Sequence, residues 1–304
     1  MKETVLVTGG SGLLALNWAL AMRSSHSVTL GFHRREVALA DVKSRKIDLE
    51  SVDILARDFE GIEPHVVVHA AGLTNVEECE NSPQVAHYVN VELAANVAQA
   101  CARLCLPLVH ISTDHLFAGE TPLVDENYTL TPLNVYARTK AEAEQRVVEE
   151  HPQALVIRTN FYGWGTSYRQ SFSDFVIYAL RSGKRLTLFN DVFYTPILAE
   201  TLALASHELI NLKANGIFHV VGDERISKYE FGQKIAQRFM LDSSLISPGN
   251  LFDNPSMVRR PNDMSLSNKK TCNLLGRKLG SADVHIARLY QQEQNGLAQE
   301  IIRL

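Results

Sequence analysis

Little in this chain of 304 residues points to a covalent or metal scaffold. Cysteine is scarce: Cys79, Cys101, Cys105 and Cys272 show no paired ligand spacing, so neither a disulfide framework nor a metal site is expected. Cys101 and Cys105 fall on one helical pattern and read as reduced core thiols. Long apolar runs are lacking too, and none reaches the length needed to cross a bilayer. A net charge of −4 with both signs interspersed offers no basic surface for nucleic acid. The opening Met1-Lys2-Glu3-Thr4 leads straight into Val5-Leu6-Val7 without the apolar run and cleavage site of a secretory signal. A cytoplasmic protein is therefore expected. In that compartment the sequon Asn127-Tyr128-Thr129 stays bare. Repeats and low-complexity tracts are absent as well. With 45% hydrophobic residues the chain can bury a large core, as one big domain or one plus a smaller lobe.

What is present is alternation. Thr4-Val5-Leu6-Val7-Thr8 reads as a short buried strand, followed by Gly9-Gly10-Ser11-Gly12-Leu13-Leu14-Ala15 and a helix over 16–23. Gly9 and Gly12 permit a tight turn and let backbone amides approach a phosphate, while Ala15 lets the helix lie close on the sheet. Free N–H groups and the positive dipole end at the helix start suit a pyrophosphate, so dinucleotide binding is predicted. The second strand, over 27–32, runs into His33-Arg34-Arg35, where an acid would mark a preference for NAD. Arginine accommodates a 2′-phosphate, making NADP the expected form and NAD the alternative. A solvated basic turn is the plainer reading of the same residues. Lys46-Ile47-Asp48-Leu49 is predicted as a third strand, with Asp48 near an adenine edge unless it caps a helix from Glu50.

Val66-Val67-Val68-His69-Ala70-Ala71-Gly72 reads as a fourth buried strand whose small last residues leave room for a cofactor. A long helix is predicted over 80–104, interrupted near Pro83, with Val85, Val89, Val91, Leu93, Val97 and Cys101 apolar. Asn90 in that run either braces the backbone under the neighbouring strand or faces solvent. Strands over 106–111 and 154–158 follow. This order predicts an α/β fold: a doubly wound parallel (Rossmann) sheet with ligands at the carboxyl ends of the strands. Beyond Gly165 the pattern is less regular, with helices over 175–181, 198–212, 228–239 and 283–303 and strands over 185–189 and 216–222. The division predicted is a dinucleotide-binding domain over 1–165 and a smaller, mainly substrate-binding lobe over 166–304, some of whose segments return to the first.

Asn134-Val135-Tyr136-Ala137-Arg138-Thr139-Lys140 opens a polar, alanine-rich helix in which Tyr136 and Lys140 rise from one face, one turn apart. A phenol with a reference pKa of about 10 is a poor acid or base at neutral pH, but an adjacent ammonium draws that value down. Tyr136 is thus a candidate general acid or base. Ser112-Thr113 closes the fifth strand and supplies a hydroxyl to orient a carbonyl toward Tyr136. Tyr-x-x-x-Lys alone is a weak signal; the upstream glycine turn gives it weight. The loop Thr159-Asn160-Phe161-Tyr162-Gly163-Trp164-Gly165 can wall a pocket for a sugar or base. The extended stretch over 258–266 carries arginines suited to clamping a diphosphate.

The glycine turn, His69-Ala70-Ala71-Gly72, Ile111-Ser112-Thr113-Asp114 and Tyr136-x-x-x-Lys140 stand in the order and spacing of the extended short-chain dehydrogenases. Within them the chain resembles the dTDP-4-dehydrorhamnose reductase family over nearly its whole length. The Gly31-to-Arg35 stretch is similar to a branch that lost or sidelined catalysis, the regulatory beta subunit of methionine adenosyltransferase. The resemblance implies an oxidoreductase with the catalytic set Thr113, Tyr136 and Lys140. It implies that NADP is met by Gly9, Ser11, Gly12, Leu13, Leu14, His33, Arg34, Arg35, Asp48, Leu49, Ala70, Ala71, Gly72, Tyr136 and Lys140. It places Thr74, Thr113, His115, Phe117, Asn160, Phe161 and Arg260 on a nucleotide-sugar substrate, and leaves a homodimer open. Hydride would go to the C4 ketone of a 6-deoxyhexose, with Tyr136 protonating the alkoxide.

The chain departs from the family pattern at His115 and Leu73, where tyrosine is common, at Glu77 for its usual aspartate, and at Asn160-Phe161, where tryptophan is frequent. A different sugar, stereochemistry or nucleotide is compatible with these changes. His115 as a second acid/base would suit an epimerase-reductase; a sugar hydroxyl contact or a packed neutral histidine is simpler.

Overall fold

Alternating apolar residues turn the central sheet into a two-faced core. Val5 and Val7 join one hydrophobic cluster and Leu6 the other; Val66 and Val68 separate from Val67 in the same way, and Leu155 and Ile157 from Val156. That period of two requires cover on both faces. The computed structural model describes residues 2–253 and 257–304. In chain order its first half runs β1 (Thr4–Thr8), α1 (Leu13–Met22), β2 (Ser27–Phe32), β3 (Val42–Lys46), α2 (Val52–Ile62) and β4 (Val66–His69). It continues through α3 (Val76–Asn81), α4 (Pro83–His87), a π-helical turn (Tyr88–Glu92), α5 (Leu93–Arg103), β5 (Leu108–Ile111), α6 (Val135–Glu150) and β6 (Leu155–Arg158). The strand Gly216–His219 completes a seven-stranded sheet, in which it neighbours β6 and the order continues β5, β4, β1, β2, β3. Every pairing in it is parallel, so the predicted doubly wound α/β fold is what forms. The order reverses at β1, and the crevice between the carboxyl ends of β1 and β4 is where such sheets bind ligands.

Trp18 and Leu16 of α1 are fully buried in one cluster with residues of the helix Ala199–Asn211, which packs on α1. Leu55 and Phe59 of α2, Val97 and Cys101 of α5, and Ala143 and Val147 of α6 cover the other face. The leucine, phenylalanine and valine side chains among them contribute about 1.5–3 kcal/mol each when fully buried. The remaining strands form three two-stranded sheets: Phe161–Tyr162 with Ile197–Leu198, Phe193–Tyr194 with Ile226–Ser227, and Leu186–Phe189 with Ile246–Gly249. Among the described residues no helix is long and apolar enough to cross a membrane.

Several boundaries differ from the sequence reading. The third strand is Val42–Lys46, an edge strand whose lysines are exposed, and its polarity hides it. Ile47, which drew the prediction, is buried just beyond, its N–H donating to the Phe32 carbonyl at 2.9 Å. Asp48 does not cap α2. Its carboxylate accepts from the Glu50 N–H at 2.9 Å, and the cap is Ser51. Val85, assigned to an apolar face, is 53% exposed. Cys105 is exposed, since α5 has ended and the chain turns there with φ 53°. The last predicted helix is two, Ala282–Gln294 and Leu297–Ile302, broken where Gly296 takes φ 81°.

Candidate active site

The glycine turn is built by close backbone approach. Gly9 has φ 72°, and a Cβ there would lie 2.9 Å from the Ala71 Cα and N, so only glycine lets β1 turn past the Ala70-Ala71 backbone leaving β4. Gly12 donates its N–H to the Gly9 carbonyl at 2.7 Å and starts α1 without a side-chain cap. The first amides of α1 are thereby left facing a cleft of about 690 Å³. Gly9, Ser11, Gly12, Leu13, Leu14, Ala70, Ala71 and Gly72 all line it. An uncapped helix start beside a cradle that a Cβ would fill fits a dinucleotide pyrophosphate.

Asn134 sets the position of α6: its Oδ1 accepts from the Ala137 N–H at 2.9 Å, and its amide donates to the Arg259 carbonyl at 3.0 Å. Tyr136 follows on the first turn, 8% exposed, lining the cleft with Thr113. Burial pushes the phenol up to about 12, and a hydrogen bond with Thr113 acts the other way. The expectation that the Lys140 ammonium lowers the phenol is not met. Lys140 donates instead to the Ile111 carbonyl at 2.7 Å and lies 3.4 Å from His110 Nε2. Burial lowers this lysine to about 8, against the pull of Glu144. Tyr136 therefore keeps its proton through the neutral range. Asn90, on the π-helical turn, resolves as a brace: it is buried, accepts from the Leu73 N–H at 2.7 Å and donates to the Leu73 carbonyl and Thr139 hydroxyl, each at 3.0 Å. The loop after β4 and the helix α6 are thereby tied together.

A family model described as RmlD substrate binding domain matches residues 1–295. The chain belongs to this family. The resemblance drawn from the linked motifs is thus borne out. A probable low-salt glycan biosynthesis reductase, Agl14, of Haloferax volcanii is 29% identical, covering 84% of this chain and 86% of that protein. The beta subunit of methionine adenosyltransferase 2 from Rattus norvegicus is 31% identical over 88% of this chain and 81% of its own length. The solved dTDP-4-dehydrorhamnose reductase of Bacillus anthracis, in complex with NADP, superposes with a TM-score of 0.84 at 24% identity, covering 96% of this chain and 100% of that one.

Within this member of the RmlD family, the predicted site residues divide. Arg35 lines the cleft, its guanidinium 3.9 Å from the Tyr168 ring centroid, and the Tyr168 hydroxyl donates to the Ser11 carbonyl at 3.1 Å. His33 and Arg34 are exposed and lie outside the cleft lining, as do Asp48 and Leu49. Leu49 instead offers its carbonyl to Asn96 at 3.0 Å. Thr74, Thr113, His115, Asn160 and Phe161 line the cleft; Phe117 does not. Phe117 is buried in core, edge-on to Tyr128 and His219. Arg260 borders an adjoining pocket and is paired with Glu77.

Sequence reasoning missed the segment from Tyr168 to Phe172, which closes one side of the cleft. Its signal was the capping box of the helix Phe172–Arg181, where Ser171 and Asp174 bond each other's backbone. It also missed Asp114, buried and accepting from the Asn160 amide at 2.5 Å, and His110, stacked on His69 beside Lys140.

Proposed function

We propose that the chain reduces the C4 ketone of a nucleotide-activated 4-keto-6-deoxyhexose with NADPH. The observation carrying this reading is the Tyr136 phenol, buried and lining with Thr113 the cleft floored by the glycine turn. The names of family relatives, a glycan biosynthesis reductase and a dTDP-4-dehydrorhamnose reductase, support it. NADPH, when bound, supplies the hydride. Tyr136 donates its phenolic proton to the ketone oxygen as charge develops, and recovers one from solvent afterwards. The Thr113 hydroxyl hydrogen-bonds the same oxygen. Lys140, which donates to the Ile111 carbonyl and lies beside His110, has a further proton to offer the cofactor ribose. Incubation with NADPH and a panel of 4-keto nucleotide sugars tests the reading: cofactor oxidation with at least one sugar is expected, and none with any sugar overturns it.

Relatives named as a methionine adenosyltransferase beta subunit favour a second reading, an NADP-binding regulatory subunit. NADPH binding without oxidation by any sugar selects it.

Arg35 carries the preference for the 2′-phosphate. Arg35→Ala is expected to weaken NADPH roughly tenfold while NADH changes little, because a charge-assisted contact to the phosphate is lost. Arg34→Ala, outside the cleft, leaves both affinities near wild type. Equal losses for both cofactors in Arg35→Ala, measured by fluorescence titration, refute the assignment.

A further inference from the structure

Beyond the cleft, sharing His115, Asn160 and Phe172 with it, lies a pocket of about 310 Å³. Its walls are largely apolar, with Phe175, Phe189 and Met264 among them, yet three basic side chains border it: His115, Lys228 and Arg260. Arg260 is engaged, paired with Glu77 and donating to the Val258 carbonyl at 3.2 Å. Lys228 is not. It is the first residue of the helix Lys228–Arg238, set by the Ser227 cap. Its amine rests 3.5 Å from the Tyr194 ring centroid and 4.7 Å from that of Phe172, and none of the described residues accepts a hydrogen bond from it. The nearby carboxylate, Asp114, is taken by Asn160. Burial lowers Lys228 to about 8, with Asp114 holding it up, so the amine stays largely protonated at neutral pH. A half-buried ammonium with open donors, between aromatic rings that keep water away, is incomplete without an acceptor.

We infer that Lys228 is an anion receptor of the substrate pocket, donating to an acidic oxygen group of the substrate: the diphosphate of a nucleotide sugar, or a carboxylate borne by the sugar. The inference rests on the nucleotide-sugar reading for the source of the anion, not for its charge. Calorimetric titration of the NADP-loaded full chain tests it, using inorganic pyrophosphate, dTDP, dTDP-glucose and dTDP-glucuronate against wild type, Lys228→Met and Lys228→Arg. Losing a desolvated charge contact is expected to weaken binding roughly tenfold or more in Lys228→Met and much less in Lys228→Arg. Equal losses for all diphosphates identify the diphosphate; a loss confined to dTDP-glucuronate identifies a sugar carboxylate. Unchanged affinities in a Lys228→Met protein that still binds NADP overturn the proposal, as does a loss in Lys228→Arg as large as that in Lys228→Met. If wild type binds none of the nucleotides, the nucleotide-sugar reading falls separately. Pyrophosphate then decides Lys228 alone: weaker binding in Lys228→Met supports it, and no difference or no binding overturns it.

Discussion

Tyr136→Phe is expected to cut turnover by roughly 10² or more while folding and NADPH affinity stay close to wild type. The ring is packed except where it borders the cleft. It shares a small cluster with Val76, Cys79, Ala86 and Val135, and His115 meets it edge-on at 5.6 Å. Phenylalanine fills the same volume, so only the hydroxyl goes. Thr113 keeps a second contact, from the His115 N–H at 3.3 Å, and is not left unpaired. Because the phenol, pushed up to about 12, is a proton donor across the assay range, its removal takes away an interaction made as the ketone gains a proton. The loss should therefore appear in kcat and kcat/KM alike, with KM little changed. Steady-state kinetics and a cofactor titration check both halves. Wild-type turnover in this variant would remove Tyr136 from the chemistry.

The elements that sequence displayed best were those buried on both faces or closed by a cap. β1 and β2 have the predicted ends because Val5, Leu6, Val7, Val28 and Leu30 are all core. β3 was misplaced because an edge strand needs no apolar alternation, and Lys43 and Lys46 face water. Within the site, the glycine turn and the Tyr136 helix were legible from short spacings. What was not legible depends on direction. Nothing in the pair Arg34-Arg35 says which guanidinium turns to the cleft, since that follows from the Tyr168 ring on a distant loop. Phe117, only a few positions beyond Thr113, points into the core beneath Arg158, 5.6 Å from its ring centroid to the guanidinium. Lys228 comes from a helix far along the chain that only tertiary packing brings to Asp114.

Removing the carboxylate of Glu144 is the change expected to cost most in stability. Glu144 on α6 and Arg158 at the end of β6 are each 2% exposed and joined by three hydrogen bonds of 2.7–3.1 Å. They fasten the helix bearing Tyr136 and Lys140 to the sheet. Among the described residues, Glu144→Ala leaves the buried guanidinium with His219, 3.5 Å away, as its one hydrogen-bond partner, and is expected to cost about 3–5 kcal/mol. That corresponds to a fall in Tm on the order of 10 °C. Replacing both partners by apolar residues, Glu144→Leu with Arg158→Met, should recover most of it, since no charge is then stranded. Activity need not follow. Glu144 is also the charge that holds the Lys140 ammonium up against burial, so its loss moves that group below about 8 in the single and the double variant alike. Lys140 then gives up its proton nearer neutrality, and the alkaline limb of the pH–rate profile should shift to lower pH even where Tm has returned. An alkaline limb left in place in the stable double variant would show that the charge on Lys140 does not matter to the rate. A Tm unchanged in Glu144→Ala would show that the pair does not hold α6.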